Sequence, residues 1–126
     1  MPKLLYEDLT YNIRSAAIEV LKELGPGSLE SAYQHCLCYE LQQRGIEFQK
    51  EVELPVQYKG KFLDCGYRMD IVVENKVILE LKSIDQLQPI HTAQLMTYLR
   101  LSKKPIGFLM NFNVPLLKDG IKRIAL

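Results

Sequence analysis

Residues 68–82 read Arg68-Met-Asp70-Ile-Val-Val-Glu74-Asn75-Lys76-Val77-Ile-Leu-Glu80-Leu-Lys82, and this stretch decides how the rest folds. Apolar residues hold the odd positions, Met69, Ile71 and Val73, then Val77, Leu79 and Leu81. Strand side chains alternate between faces, so each half is a strand with one apolar side. A slip of one residue in the pairing would turn one apolar set to the wrong face. Odd must pair with odd. A three-residue loop, Glu74-Asn75-Lys76, satisfies this by setting Val73 against Val77 and Asp70 against Glu80. Directly opposed residues hold their Cβ atoms roughly 4.5–5.5 Å apart. Lys82 follows Glu80 on the same face. The apolar pattern therefore predicts that Asp70, Glu80 and Lys82 converge, facing away from Leu63, Tyr67, Leu79 and Leu81.

Upstream, the period is also two from Glu47 onward, with Phe48, Val52, Leu54, Val56 and Tyr58 on even positions. Lys59-Gly60 predicts a hairpin turn that pairs Tyr58 with Lys61. It leads into a strand from Phe62 to Val73, on which Leu63, Cys65 and Tyr67 extend the apolar side. Before it, Leu9, Ile13, Ala16, Ala17, Val20, Leu21 and Leu24 recur at helical spacing over residues 7–24, and Gly25-Pro-Gly27 stops that helix. Ser28 is placed to cap a second helix, 29–44, with Gly45 as its stop. Downstream, Pro89 opens a third helix to about Ser102, ended by Lys103-Lys-Pro105. Residues 106–112 read as a buried strand, 113–120 as a loop and 121–126 as a short last strand. The expected fold is α/β, a mixed sheet of four or five strands with flanking helices.

The 126 residues predict one domain, 1–126, and 48% apolar with 25% charged residues is the balance of a soluble globular protein. No window approaches the ~20 apolar residues of a membrane span, and no leader-type apolar run opens the chain. The expected location is the cytoplasm, without a membrane partner. Three cysteines without a CxxC exclude a disulfide framework and a zinc site, and all three are expected as buried or half-buried thiols. A net charge of +1 is uninformative about partners, although a protein that coats long stretches of DNA usually carries a basic excess. Nucleic acid would have to be held by a local patch and a metal.

Two carboxylates ~5 Å apart repel, and one pKa rises unless a cation intervenes. Mg²⁺ or Mn²⁺ takes carboxylate oxygens, keeps waters and bridges to phosphate. Lys82 is placed to orient a water or to neutralise charge growing on the phosphate. The alternative is a solvated face carrying an ordinary ion pair worth under ~1 kcal/mol. Other residues carry paired readings too. Glu30 either favours a helix dipole or reaches the acids, and Tyr33 on the same helix face suits the core. Gln94 and Tyr98, four apart, either bond one another or serve the site. Arg68 holds a carboxylate or a phosphate. His91 is either solvated or near phosphate, and His35 reads as structural. Tyr6 and Tyr11 either pack or stack on bases.

The order helix, three-stranded meander, helix, strand, with Asp-x9-Glu-x-Lys in the meander, resembles the PD-(D/E)XK nuclease superfamily. More closely, almost the whole chain resembles the GxxExxY family of its RecB-like branch. The motif stands as Gly27-Ser-Leu-Glu30-Ser-Ala-Tyr33. Further matching segments are Asp70-Ile-Val-Val-Glu74, Val77-Ile-Leu-Glu80-Leu-Lys82-Ser83, Gln94-x3-Tyr98-Leu99, Asn111-Phe-Asn113 and Lys118-Asp-Gly-Ile-Lys-Arg123. The resemblance implies that Asp70, Glu80 and Glu30 bind metal and that Lys82 is the catalytic lysine. It implies supporting or substrate-binding roles for Gln94, Tyr98, Tyr33 and Arg68. Met69-Asp70 replaces the motif's Pro-Asp and leaves the acid in place. The implied activity is Mg²⁺- or Mn²⁺-dependent phosphodiester hydrolysis on DNA or RNA. The alternative is a non-hydrolytic nucleic-acid- or protein-binding module on the same scaffold, and a homodimer or protein partner stays open.

Overall fold

Glu74 and Asn75 both take left-handed backbone angles (φ 48° and 56°), and the Lys76 N–H closes the turn on the Val73 carbonyl at 2.9 Å. This three-residue reversal joins β4 (Arg68–Val73) to β5 (Val77–Lys82) with Val73 opposite Val77, the register that parity demanded. The computed structural model describes residues 6–126. The first five residues, which enter the expectation about a leader segment, lie outside that range.

Around this hairpin stand α1 (Glu7–Leu24), α2 (Glu30–Gln43), β1 (Phe48–Glu53), β2 (Val56–Tyr58) and β3 (Lys61–Leu63). After it come α3 (Pro89–Ser102), β6 (Ile106–Asn111), a 3-10 turn at Leu117–Asp119, and β7 (Ile121–Ala125). The main sheet has five strands in the order β1-β4-β5-β6-β7, mixed because β5 and β6 run parallel with α3 as their crossover. The fold is α/β, as expected.

Helices cover both faces. On one, Ile71, Val73, Val77, Leu79, Leu81, Phe108 and Met110 pack with Ile13, Ala17, Leu37 and Leu41 of α1 and α2. On the other, Val72, Ile78, Leu109 and Ile124 pack with Leu95, Tyr98 and Leu99 of α3. A strand buried on both sides reads as one apolar run, and all six residues of β6 are buried. None of the described helices is long and apolar enough to cross a membrane.

The long strand expected from Phe62 to Val73 is broken. Pro55 has no N–H for a ladder, and opposite it Gly66 turns with φ 76° while its N–H donates to Asp64 Oδ1 at 3.0 Å. The turn at Lys59-Gly60 does pair Tyr58 with Lys61, but β2 and β3 form their own two-stranded ribbon. Beyond the break β1 pairs with β4 two residues out of step with the ribbon, Phe48 facing Val73. Leu63, Cys65 and Tyr67, expected on the core face, are consequently exposed. Ser28 is no side-chain cap; Leu29 takes the N-cap position.

Gly120 sits where a Cβ would collide with the backbone carbonyl oxygen of Asn111, which cannot move aside as a side chain could. Gly120→Ala should therefore cost about 1–3 kcal/mol, the range for forced overpacking. Urea unfolding checks this through a lowered midpoint at unchanged slope.

Candidate active site

The paired register of β4 and β5 ends at Ile71 opposite Leu79, although both strands run on to Arg68 and Lys82. Past that point side chains replace the ladder. The Asp70 N–H donates to Glu80 Oε2 at 2.8 Å, and the Leu81 N–H donates to Asp70 Oδ2 at 2.8 Å. Each acid thus satisfies a backbone donor on the strand of the other, and two carboxylates are locked across the gap.

Glu80 is buried at 5% exposure, and Asp70 and Lys82 are half-buried. Alternation along β5 puts Glu80 and Lys82 on the side of Ile78, toward α3, and away from Leu79 and Leu81. This is no solvated face. Burial, then the neighbouring Asp70 charge, pushes the Glu80 carboxyl up to about 8, against the opposing pull of the Asp70 N–H and Lys82. Asp70 is also raised, first by burial, with Leu81 N–H and Lys82 pulling down and Glu30 and Glu51 adding repulsion.

Tyr98, buried on α3, accepts a hydrogen bond from Gln94 Nε2 at 3.0 Å. Its hydroxyl pKa is raised by burial and then by the Glu80 charge, which places it beside the acids. Gln94 and Tyr98 therefore both bond one another and border the site. Arg68 is exposed, two residues before Asp70.

Glu30 comes from α2, which packs on the opposite face of the sheet. As the first residue of that helix it reaches the end of β5, where its Oε2 accepts from the Ser83 N–H at 3.3 Å. Its charge acts on both Asp70 and Glu80. Among the described residues, no three His, Cys, Asp or Glu side chains are gathered tightly enough to hold a metal. Glu30 stands at the rim rather than in a three-acid cage.

Tyr33 lies outside the site. Its ring is fully buried and stacks on Phe112 (centroids 4.6 Å, planes 13° apart). Its hydroxyl donates to the Gly25 carbonyl at 2.6 Å and accepts from the Ser28 N–H at 3.1 Å, holding the loop that launches α2. Ser28 in turn accepts at its carbonyl from Ser83 Oγ at 2.7 Å. The spacing Gly27-x-x-Glu30-x-x-Tyr33 is thus a clamp that delivers Glu30 to the residue after Lys82. Tyr33→Phe should keep the stack and lose about 1–2 kcal/mol by unpairing the loop's polar groups. Urea unfolding of the variant measures that loss.

Three neighbours were not singled out by sequence as site residues. Asn111, buried, accepts from the Ile84 and Asn113 N–H groups and donates to the Ile84 carbonyl at 3.0 Å, pinning the loop after Lys82. A lone Asn closing an apolar strand was its visible signal, since a buried amide must find partners. Tyr67 packs its ring on Tyr98 at 5.7 Å. Glu51 falls opposite Asp70 when the β1–β4 register is continued, in a left-handed conformation (φ 52°) that alternation does not betray. His91 takes up the Gln88 N–H in a capping box, and His35 bonds the Ser31 carbonyl. Tyr6 packs against the first core beneath Lys76, and Tyr11 is exposed on α1.

A buried and a half-buried carboxylate, both with raised pKa values, are a donor set that suits a hard divalent cation, which commonly takes one or two protein carboxylates and fills the rest with water or phosphate. A family model of the PD-(D/E)XK nuclease superfamily matches residues 7–124. Searches of curated proteins and of solved structures returned no match. The matched span runs from the first residue of α1 into β7 and takes in both acids, Lys82 and all of the five-stranded sheet but Ala125; the chain belongs to the PD-(D/E)XK nuclease superfamily.

Proposed function

We propose that the chain hydrolyses phosphodiester bonds in DNA or RNA with Mg²⁺ or Mn²⁺, as one domain in the cytoplasm, and that it stands in the GxxExxY, RecB-like branch of its superfamily. The observation that carries this reading is the pairing of half-buried Asp70 with buried Glu80 in the gap between β4 and β5, with Lys82 on the same face as Glu80. Asp70 and Glu80 would hold the ion, which when bound acidifies a water and offsets charge on the phosphate. Lys82 then steadies the charge that grows on the phosphate oxygens and orients the attacking water. Tyr98, fixed by Gln94, walls the site on the α3 side and keeps bulk water from screening it. Glu30 serves as a third acid at the rim, acting through a water, and Arg68 as an exposed phosphate contact.

The test is cleavage of single- and double-stranded DNA and RNA with Mg²⁺ or Mn²⁺, beside calorimetry of Mn²⁺ binding. Metal-dependent cleavage lost in Asp70→Asn is expected. No Mn²⁺ binding, with or without nucleic acid, would overturn the reading and leave a non-hydrolytic binding module in its place.

A further inference from the structure

The β2–β3 ribbon is three residues long on each strand and stands apart from the five-stranded sheet. A two-stranded hairpin of this size gains little from its own contacts. Yet it exposes apolar area: Tyr58 is 58% exposed, Phe62 71% and Leu63 43%. The register Val56↔Leu63, Gln57↔Phe62, Tyr58↔Lys61 puts Tyr58, Lys61 and Leu63 on one face and Phe62 on the other. Lys59 holds its ammonium 5.5 Å from the Tyr58 ring centroid. From Pro55 to Leu63 there is no acid.

We infer that this ribbon is a platform for single-stranded nucleic acid that leads the strand toward Asp70 and Glu80; the inference deepens the proposed nuclease reading and rests on it for the direction of travel. Exposed aromatic faces stack on unpaired bases, and flanking lysines meet phosphates, the combination by which single strands are held without sequence preference. A duplex offers no free base faces. The ribbon is also continuous with the site. From Leu63 to Asp70 the chain spans seven residues, at most roughly 25 Å. Along that path Tyr67, itself partly exposed, packs on Tyr98 beside Glu80.

Fluorescence anisotropy with labelled oligothymidylate, oligouridylate and a mixed-sequence duplex, in Ca²⁺ to neutralise the acids, tests the inference. Wild type should bind the single strands more tightly than the duplex. Tyr58→Ala should weaken single-strand binding about five- to a hundred-fold, as loss of one stacked base does, and Phe62→Ala, on the opposite face of the ribbon, should weaken it less. Lys59→Ala and Lys61→Ala should each flatten the salt dependence by about 0.7 in log–log slope. Mn²⁺ binding and Tm should stay as in wild type, which also shows that the variants are folded. Unchanged single-strand affinity in the Tyr58→Ala/Phe62→Ala pair would overturn the inference while leaving the nuclease reading intact. So would concentration-dependent dimerisation in sedimentation that these two variants abolish, since a second copy would then be the occupant. Ribbon-dependent binding by a wild type that cuts nothing would sink the nuclease reading and keep this one.

Discussion

Glu80→Gln should make the metal-free protein more stable at pH 8 while abolishing both the metal's effect on Tm and any cleavage. Glu80 has an ordinary carboxyl value of 4.5, and the fold pushes it up to about 8 through burial and the Asp70 charge. Below pH 4.5 both the folded and the unfolded chain hold the proton, and the group costs nothing. Between 4.5 and 8 the unfolded chain ionises while the folded one retains the proton, so stability falls as pH rises and levels off above about 8. Asp70 is raised in the same direction. The full cost is on the order of 3–5 kcal/mol, at about 1.4 kcal/mol for each pH unit that separates the folded value from the unfolded one. A neutral amide removes it, and roughly 10 °C in Tm should separate variant from wild type at pH 8 without metal. In wild type, added Mg²⁺ or Mn²⁺ should raise Tm in proportion to RT ln(1 + [L]/Kd), because the ion binds the folded pair. Calorimetric scans from pH 4 to 9, with and without Mn²⁺, check both effects. A variant less stable than wild type at pH 8 would mean that the carboxylate is held by partners stronger than those between β4 and β5.

Lys82→Ala should leave Mn²⁺ binding largely in place and lower cleavage by at least about 10²–10³-fold, the loss typical when one preorganised charge-stabilising donor is removed. An ammonium is no ligand, so its loss removes charge stabilisation without removing a metal contact. Lys82 does pull both carboxyl pKa values down, so the variant should require higher pH before the acids take up metal. Single-turnover cleavage at saturating Mn²⁺, set beside calorimetry, separates these two consequences. Loss of metal binding equal to the loss of cleavage would make Lys82 a structural support of the acids instead.

Parity made the centre of the fold legible. A period of two permits only odd-with-odd pairing between β4 and β5, and that constraint together with the three-residue loop at Glu74–Lys76 places Asp70 opposite Glu80. Parity was also why the break beyond it stayed hidden. The ribbon and the β1–β4 ladder differ by two residues, an even step that keeps even positions opposite odd ones, so residue type gives no sign of the break at Pro55 and Gly66. Val52, Leu54 and Met69, expected on the side of Phe48, Ile71 and Val73, pack instead on the α3 side, a change of face that strict alternation does not foresee. Burial of the second face was masked differently: Val72 and Ile78 alternate with acids and read as its minor residues until α3 covers them. For Tyr33 the motif spacing was visible but the reason for it was not, because the partners Gly25, Ser28 and Phe112 come from a loop and a distant strand. Backbone angles such as that of Glu51 leave no trace in residue type.

The crossed pairing of amides and carboxylates makes the site its own spectroscopic reporter. In an ordinary hairpin the amide protons of residues 70 and 81 would face carbonyls, whose hydrogen-bonding strength does not change with pH. Here they face the Glu80 and Asp70 carboxylates. Protonation of an acid, or capture of its electrons by a cation, weakens the bond to the amide on the other strand. In a ¹⁵N-labelled sample the Asp70 amide resonance should therefore track Glu80 and the Leu81 resonance should track Asp70. Two neighbouring peaks would resolve site by site a titration that bulk methods see only as a pair.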